Sequence, residues 1–365
     1  MNYLEHIVVY IRQCMKKIIK ALALLLFVIL LFVSGFLLYF TLSDYQPESR
    51  ELISASEKSD TIRIGEPLRI ITWNIGYAGL DKNMDFFYDG GTKVRPIEEQ
   101  VKRNLDGIGD YLSKNGDADF FLIQEIDEEA KRSYYINQID YFNSILYQHY
   151  PSYAMNHNVQ FVPEPVSDPM GKVRSGLVTY SRHFPIIAER NAFPFNFSWP
   201  LRIFMHDRCF LSMRFPTSNG KELVLINTHN SGFDRNGELR KKELGYFRNF
   251  MTEEYDKGNY VIVGGDFNQC PLNIKTEFCG QPFDFVDFHV IPDTLLPADW
   301  KYVFDNATPS NRRVDTSYKK GETKTTLIDF FILSPNVLVD SVKCDDLGFE
   351  FSDHNPVKAT FRLTE

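Results

Sequence analysis

The sequence predicts a large α/β domain that follows a single membrane-spanning segment. Short apolar runs alternate with longer amphipathic stretches from residue 68 onward, which is typical of strands and helices in one α/β domain. A charge-free apolar run precedes this region. With 365 residues, 44% of them hydrophobic and 15% aromatic, the chain is long and apolar enough to bury a sizeable core.

Residues 21–43 contain no charged side chain, and at 1.5 Å per residue they exceed the roughly 30 Å thickness of a bilayer's hydrocarbon core. Basic side chains precede this run, whereas Asp44 and Glu48 follow it. The positive-inside bias therefore predicts that residues 1–20 are cytoplasmic and that the remainder of the chain is extracytoplasmic. A cleaved signal peptide is the alternative, but the run is longer than a usual signal core and no small-x-small site precedes Asp44.

The polar segment 44–66 lacks apolar periodicity, and we expect it to be a tether. The predicted organisation is therefore a cytoplasmic N-terminus, one transmembrane helix over 21–43, this tether, and a domain over 67–365. The expected location is a membrane crossed once, with the domain on the outer side.

The net charge is −8, and the first fifty residues hold five basic and three acidic side chains, so the remainder carries about −10. A domain this acidic has no global basic field to attract polyanions. A phosphate-bearing ligand would need a local cation or a metal ion, and the charge does not indicate nucleic acid as a partner.

The five cysteines form no CxxC pair and no zinc-like spacing. Cys270 and Cys279 are close enough in sequence to close a small disulfide loop in an oxidising compartment, but we favour free thiols.

The helix and strand pattern can be followed along the chain. Pro96 opens a predicted helix with apolar residues at Val101, Leu105, Ile108 and Leu112, whose spacing of three and four predicts packing on a sheet. A second helix carries Leu244, Phe247 and Phe250, and the polar segment 77–95 is long enough to be a functional loop. Strands are predicted at LRIITWNIG, DFFLIQEID, SGLVTYS, CFLSMRF, ELVLINTH, YVIVGGDFN, TLIDFFILS and PVKATF.

Polar residues capable of chemistry stand at the ends of several of these strands. Because sites in α/β folds form where strands terminate, residues far apart in sequence can converge there. The residues in question are Asn74, Glu125, His229, Asp266, Asn268, Asp353 and His354.

Asp266 and Asn268 are two residues apart, so they share one face of an extended chain. A carboxylate beside an amide suits activation of water or binding of a transition state, although an Asp-x-Asn turn that bonds its own backbone is an equal alternative. Asn74 and Glu125 offer the hard oxygen ligands that Mg²⁺ accepts, whereas either one alone is more often a solvated strand end.

Asp353 and His354 adjoin one another, and an acid beside an imidazole can serve as metal ligand and proton carrier. His229 supplies a second imidazole at another strand end. Asp329 is a lone acid in an apolar strand, and since a buried carboxylate is costly unless paired, we expect it to meet a His or Arg. The four histidines His149, His157, His183 and His206 have no partner motif and are expected to be structural or exposed.

Seven motifs in a fixed order resemble those of the endonuclease/exonuclease/phosphatase superfamily, whose fold is that of deoxyribonuclease I. They are TWNIG, LIQEID, SGLVTYSR, NTH, GGDFN, IDFFILS and SDHNPV, and together they span about residues 67 to 363. The resemblance implies a four-layer α/β sandwich, with two packed sheets, helices outside and one active-site cleft at a rim.

The resemblance also implies roles for individual residues. Asn74 and Glu125 would bind Mg²⁺, with Mn²⁺ as the alternative, and Asp353 would lie near the ion. His354 would act as general base oriented by Asp329. Asp266 and Asn268 would hold the nucleophile and the scissile phosphate, His229 would be the second imidazole, and Arg174 would hold a phosphate oxygen.

The function implied is metal-dependent hydrolysis of a phosphodiester, in a phospholipid head group or a nucleic acid, at a membrane. The alternatives are a phosphomonoesterase acting on soluble phosphates and a tethered binding or scaffold domain that has lost turnover. Two features depart from compact nucleases of this type: the 77–95 loop lengthens the distance from Asn74 to Glu125, and the basic, aromatic-interleaved stretches that track nucleic acid are missing from the sequence.

Overall fold

The computed structural model describes residues 3–232, 234, 237–271, 273–274, 290–292 and 294–365. Two mixed sheets pack face to face, and helices cover their outer faces. The predicted four-layer α/β sandwich is therefore confirmed.

The six-stranded sheet is mixed: β2 (Leu68–Asn74) pairs parallel to β3 (Phe120–Ala130), and all the other neighbouring strands of this sheet pair antiparallel. Its strands in spatial order are β14 (Val337–Cys344), β15 (Val357–Leu363), β2 (Leu68–Asn74), β3 (Phe120–Ala130), β5 (Gly171–Ser181) and β4 (Tyr150–Val162).

The seven-stranded sheet is mixed for the same reason, since β8 pairs parallel to β9. Its strands in spatial order are β1 (Arg50–Ala55), β6 (Ile187–Ala192), β7 (Cys209–Pro216), β8 (Glu222–His229), β9 (Tyr260–Asp266), β13 (Asp329–Leu333) and β10 (Lys301–Val303). A short ladder of β11 (Asn311–Arg312) and β12 (Thr325–Thr326) lies outside both sheets.

The period-two pattern of the strands builds the layers. In β2, Ile70 packs between the two sheets, whereas its neighbour Ile71 packs under the helices of the outer layer. The core between the sheets also includes Phe120, Leu122, Leu225, Ile262, Phe331 and Phe361, all almost fully buried.

Helices α2 (Glu98–Lys114) and α3 (Gln138–Ile145) cover the outer face of the six-stranded sheet, and α4 (Glu238–Asp256) covers that of the seven-stranded sheet. The apolar stripe of α2 is buried as its spacing predicts, from Val101 to Leu112. On α4, Leu244 and Phe247 lie in the core of the second outer layer.

Helix α1 (Tyr3–Leu42) is longer than the predicted transmembrane segment because it also includes the basic residues that precede the apolar run. It is long and apolar enough to cross a membrane, and no part of its most apolar window is buried in the protein. Its C-terminal turns contact the domain: Trp199 Nε1 donates a hydrogen bond of 3.0 Å to Thr41 Oγ1, and Phe40 is only 8% exposed.

Residues 44–66 are more ordered than the tether expected from the sequence. Strand β1 pairs antiparallel with β6 at the edge of the seven-stranded sheet, and Ile62 is buried in the core between the sheets. The expectation of a tether is therefore wrong for these residues. An edge strand needs only one hydrogen-bonding partner and little buried side-chain surface, so its sequence lacks apolar periodicity.

The favoured prediction that the cysteines are free thiols is wrong for one of the four described cysteines. Cys270 is disulfide-bonded, whereas Cys14, Cys209 and Cys344 are free. Cys279 lies outside the described residues.

Candidate active site

The strand-end residues come together at one rim of the sandwich. His229 and Asp266 face each other at the ends of β8 and β9, and Asp329 opposes Asp266 from β13. Asn74 ends β2 in the other sheet, yet its Nδ2 donates to Asp266 Oδ2 at 3.0 Å and to Glu125 Oε1 at 3.2 Å. These contacts join the two sheets through polar side chains, as the sequence predicts.

Glu125 is held by an irregular stretch of β3. The register with β5 shifts between Ile123 and Ile126, and Glu125 has a φ of 52°, in the left-handed region. A side chain at such a position is strained, and strain of this kind is concentrated at functional sites. The irregularity turns the Glu125 carboxylate toward Asn74 instead of into the packed face of the sheet.

Two glycines allow close approach of the chain around Asp266. A Cβ on Gly264 would lie 2.7 Å from Leu122 of the opposite sheet, and Gly265 has a φ of 152° with a would-be Cβ 2.0 Å from Thr228 O. The two glycines before Asp266 therefore let β9 pack tightly against β8 and the other sheet.

Asp329 and His354 form a buried pair. Asp329 Oδ2 lies 2.7 Å from His354 Nδ1 and accepts a hydrogen bond from Ser310 Oγ at 2.7 Å. Trp73 Nε1 donates to the backbone carbonyl of His354 at 2.9 Å, which fixes the chain on the other side of the ring. The expected partner of the lone buried acid is thus a histidine.

The carboxylate keeps a proton on Nδ1, so Nε2 is left for chemistry. Nε2 lies 2.9 Å from Asn311 Nδ2 and 3.8 Å from Asp266 Oδ2. Burial would lower the pKa of His354, but Asp329 and the other carboxylates around it raise that pKa to about 10.

The pKa of His229 is shifted in the opposite direction to that of His354. Its Nε2 lies 3.5 Å from Asp266 Oδ2 and 3.8 Å from Glu125 Oε1. Burial, together with the positive charges of Arg208 and His354, lowers the pKa of His229 well below its usual range. This imidazole is therefore neutral at physiological pH and available as a hydrogen-bonding group.

Asn268 is fixed through its backbone. Its N–H donates to Asp266 Oδ1 at 2.8 Å, its carbonyl accepts from Arg240 Nη1 at 3.0 Å, and its φ is 50°. Its side chain donates to Asn230 O at 2.9 Å. The Asp-x-Asn turn that the sequence allows is present, and it places both side chains on the wall of the same cavity.

Two buried carboxylates make this rim suited to a cation. Burial raises the pKa of Asp266 to about 7, with Asp329 acting in the same direction. Burial likewise raises the pKa of Asp353 to about 7, with Glu125 acting in the same direction. A divalent cation among these oxygens would relieve the repulsion, and hard carboxylate and amide oxygens are the ligands that Mg²⁺ prefers. The donor set therefore fits such an ion.

Ligand atoms of Asp266, Asp329 and His354 also lie within 4.8 Å of one another. The hydrogen bond between Asp329 Oδ2 and His354 Nδ1 occupies those two atoms. Asp266 Oδ2 accepts from Asn74 Nδ2, and Asp266 Oδ1 accepts from Asn268 N.

A cavity of about 590 Å³ opens at the rim. Asn74 and Asp329 lie behind its wall and orient the groups in front of them, whereas the other predicted site residues, except Arg174, line it. Those lining residues are Glu125, His229, Asp266, Asn268, Asp353 and His354. The 77–95 loop borders the cavity through Tyr77, Leu80, Phe86, Tyr88 and Asp89.

Arg174 lies elsewhere, so its expected contact with a phosphate is not supported. It opposes Glu129 in the β3–β5 ladder and forms ion pairs with Glu128 at 3.0 Å and Glu129 at 3.6 Å. These carboxylates hold the guanidinium outside the cavity wall.

Sequence reasoning missed several polar residues of the site. Ser310 and Asn311 contact Asp329 and His354 but belong to a segment without any recognisable pattern. Arg208 lines the cavity and immediately precedes β7, so the strand-end rule used for the other residues would have found it.

Two histidines that were expected to be structural or exposed are also in the cavity wall. His157 and His206 stack with ring centroids 3.8 Å apart. Burial lowers the pKa of His157 to about 3 and that of His206 well below its usual range, so both are neutral. They add aromatic surface to the cavity instead of charge.

Comparison with known proteins agrees with the fold. The model of the Endonuclease/Exonuclease/phosphatase family matches residues 71–354. No curated protein matches the chain.

Solved structures with this fold include an endonuclease/exonuclease/phosphatase from Beutenbergia cavernae, with a TM-score of 0.55 and 16% identity over 82% of this chain and 72% of that one. Another is D. rerio TDP2 complexed with single-strand DNA product, with a TM-score of 0.51 and 16% identity over 81% of this chain and 99% of that one. A functionally unknown conserved protein from Enterococcus faecalis has a TM-score of 0.51 and 15% identity over 81% of this chain and 100% of that one.

At these identities the structures establish the fold, and the family assignment rests on the family model together with the seven motifs. Members of this family are phosphoesterase and nuclease hydrolases that use divalent metals. The chain belongs to the endonuclease/exonuclease/phosphatase family.

Proposed function

We propose that the protein is a membrane-anchored, Mg²⁺-dependent phosphodiesterase whose domain is extracytoplasmic. The observation that carries the proposal is the convergence, at one end of a cavity, of a buried Asp329–His354 pair with the Asn74, Glu125 and Asp266 cluster. The first arrangement suits proton transfer, and the second suits cation binding.

In this proposal Asn74, Glu125 and Asp353 hold the ion, which supplies charge neutralisation on the non-bridging oxygens of the phosphate. Asn74 Oδ1 accepts from Gly76 N at 2.9 Å and keeps a second lone pair. Burial raises the pKa of Asp353, and a bound cation would stabilise the charged form of this carboxylate. Mn²⁺ would fit the same oxygen ligands.

His354 exchanges a proton at Nε2: its charged form, which its raised pKa favours, can donate to the leaving-group oxygen, and only its neutral form can accept the proton of the attacking water. Asp329 fixes the ring and stabilises its charged form. The side-chain amide of Asn311 lies at hydrogen-bonding distance from His354 Nε2, so it must move before a reacting group can contact Nε2. Asp266 and Asn268 orient the water and the phosphate, and neutral His229 donates a hydrogen bond to a phosphate oxygen.

Anchoring is supported by α1, which has the length and composition of a transmembrane helix and basic residues at its N-terminal side. These basic residues favour a cytoplasmic N-terminus. The acidic domain then faces outward, where phospholipid head groups are the nearest phosphodiesters.

The test is hydrolysis by the full-length chain of sphingomyelin, plasmid DNA, a chromogenic phosphodiester and a chromogenic phosphomonoester, each with Mg²⁺ or Mn²⁺. We expect diester hydrolysis that chelation of the metal abolishes and that Glu125→Gln or His354→Ala reduces by at least 100-fold. Turnover of the monoester alone would contradict the proposal in favour of a phosphomonoesterase. Inactivity on every substrate, with no thermal stabilisation by either metal, would indicate a silent scaffold instead.

A further inference from the structure

The cavity continues beyond the polar rim into an apolar chamber. Its wall is formed by residues from four separate loops or strands, and those residues are Leu80, Phe86, Val162, Met170, Leu201 and Phe204. Leu80, Phe86, Val162 and Met170 are each less than 9% exposed, and with Val314 they form one hydrophobic cluster. These apolar side chains offer no hydrogen-bonding partner to the hydroxyl groups or charges of a soluble sugar phosphate, although Glu164, Arg312 and Arg313 also line the cavity.

One side of this chamber touches the end of α1. The ring of Phe204 lies 6.2 Å from that of Phe36 and 5.8 Å from that of Phe40, and Phe161 lies 6.3 Å from Phe40. Arg202 adds an ion pair of 3.4 Å to Asp44, the first charged residue after the apolar run. The chamber therefore adjoins the level at which α1 would leave a bilayer.

The mouth of the chamber carries exposed apolar side chains. Trp199 is 55% exposed, Leu201 is 51% exposed, and Val166, in the loop between Glu164 and Met170 of the wall, is 90% exposed. Tryptophan is enriched at the membrane–water interface because its ring is amphipathic. These side chains suit a surface that faces lipid.

We propose that the apolar chamber holds the hydrocarbon part of an amphiphilic phosphate ester, drawn from the membrane that anchors α1, while its phosphate lies at the polar rim. The proposal rests on the proposed phosphodiesterase function and names its substrate class. A volume of about 590 Å³ is within the range of pockets for small ligands, so it takes part of one chain and not a whole bilayer lipid.

The test uses the full-length chain in an amphipathic polymer without added lipid. Hydrolysis of 4-nitrophenyl methyl, butyl and octyl phosphodiesters is measured below their aggregation limits, beside a single-stranded oligonucleotide. Binding of methyl-, butyl- and octylphosphonate is measured by calorimetry, so that the chamber is probed without turnover. Leu201→Gln alters the chamber at a half-exposed position, and Leu338→Gln, at a position that is 47% exposed on β14, is the matched control.

We expect kcat/KM and phosphonate affinity to rise with chain length by up to about fourfold per methylene, equivalent to about 0.8 kcal/mol for each buried CH₂. Leu201→Gln should flatten this dependence on chain length, whereas Leu338→Gln should behave like the wild type. Chain-length-independent hydrolysis would overturn the chamber proposal while leaving the phosphodiesterase intact. Preference for the oligonucleotide, unaltered by Leu201→Gln, would overturn it in favour of a nuclease.

If no ester is hydrolysed, the proposed function is wrong. Phosphonate binding still tests whether the chamber holds a hydrocarbon chain. Tighter binding of octylphosphonate than of methylphosphonate, lost in Leu201→Gln, would support an amphiphile site. Equal binding of the two would refute it.

Discussion

Replacing Asp329 with Asn tests the proton-transfer pair directly. Asp329 Oδ2 takes both hydrogen bonds, from Ser310 Oγ and from His354 Nδ1, at 2.7 Å each, and Oδ1 is buried without a hydrogen-bond partner among the described residues. The amide oxygen can replace Oδ2 almost without movement. Its NH₂ group would then occupy the unpartnered position of Oδ1.

The expected loss follows from these contacts. A hydrogen bond to a charged group contributes about 1.5–3 kcal/mol, and one between neutral groups contributes about 0.5–1.5 kcal/mol. Replacing the carboxylate with an amide weakens the bond to His354, so the transition state should be destabilised by about 1–2 kcal/mol. This corresponds to a fall in kcat of about 5- to 30-fold, with little change in KM. The buried, unpaired NH₂ should also destabilise the fold by about 1–3 kcal/mol.

The assay is steady-state hydrolysis of a chromogenic phosphodiester, with thermal unfolding measured on the same samples. Asp340→Asn is the matched control, because Asp340 forms an ion pair of 2.6 Å with Arg362 on the surface of β14. A kcat for Asp329→Asn within threefold of wild type, in a folded protein, would refute the role of the pair.

Three further predictions concern the ion, the packing and the pH dependence of stability. Mg²⁺ or Mn²⁺ at 100 times its dissociation constant should raise the stability of the wild type by about 2.7 kcal/mol, and thermal melts should lose most of this shift in Glu125→Gln; an equal shift would place the ion elsewhere. Gly265→Ala should destabilise by more than about 3 kcal/mol in denaturant unfolding, because its Cβ would overlap Thr228 O; a loss below 1 kcal/mol would contradict the packing. Burial and Asp44 raise the pKa of Asp207 to about 7, so folding favours its protonated form and the stability of the wild type should fall as pH rises from about 4 to 7. Asp207→Asn should remove up to about 4 kcal/mol of that fall, and melts with the same pH slope in both proteins would refute it.

The sequence predicted those parts of the fold that short-range physics determines. The strands that fill the core are continuous apolar runs. The polar residues at their ends converge as expected because β8 and β9 are parallel and end at one edge, as β2 does in the other sheet, while the antiparallel strands β13 and β15 begin at the same rim. The partner of Asp329 could be anticipated from the energetic penalty of a buried, unpaired carboxylate.

Other elements could not be read from the sequence because tertiary contacts determine them. Strands β1 and β14 are largely exposed edge strands: β1 (RELISA) has little apolar content, and Asp340 and Ser341 interrupt the apolar residues of β14 (VLVDSVKC). Arg174 directly precedes a site motif, yet the carboxylates that face it across the β3–β5 ladder hold it elsewhere. Ser310 and Asn311 reach the site through a two-stranded ladder without a pattern of its own.

The residues of the site also form two groups, those that the sequence identifies and those that only the structure reveals. Asn74 and Asp266 are recognisable because they end β2 and β9, whereas Glu125 lies inside β3, where an irregularity turns its carboxylate toward the site. Arg208 directly precedes β7 and could have been found by its position at a strand end. His157 and His206 enter the cavity from elements whose sequences carry no motif, and only the packing of the two sheets brings them there. The apolar chamber is likewise a product of loops that are distant in sequence.

The central claim is that Asn74, Glu125 and Asp353 bind one divalent ion in front of the Asp329–His354 pair. Anomalous diffraction from crystals of the full-length protein grown with Mn²⁺ measures this directly. The account predicts a peak at the polar end of the cavity, about 2.0–2.3 Å from a Glu125 carboxylate oxygen and within reach of the Asn74 side chain. A peak at another place, or none at saturating Mn²⁺, would contradict it.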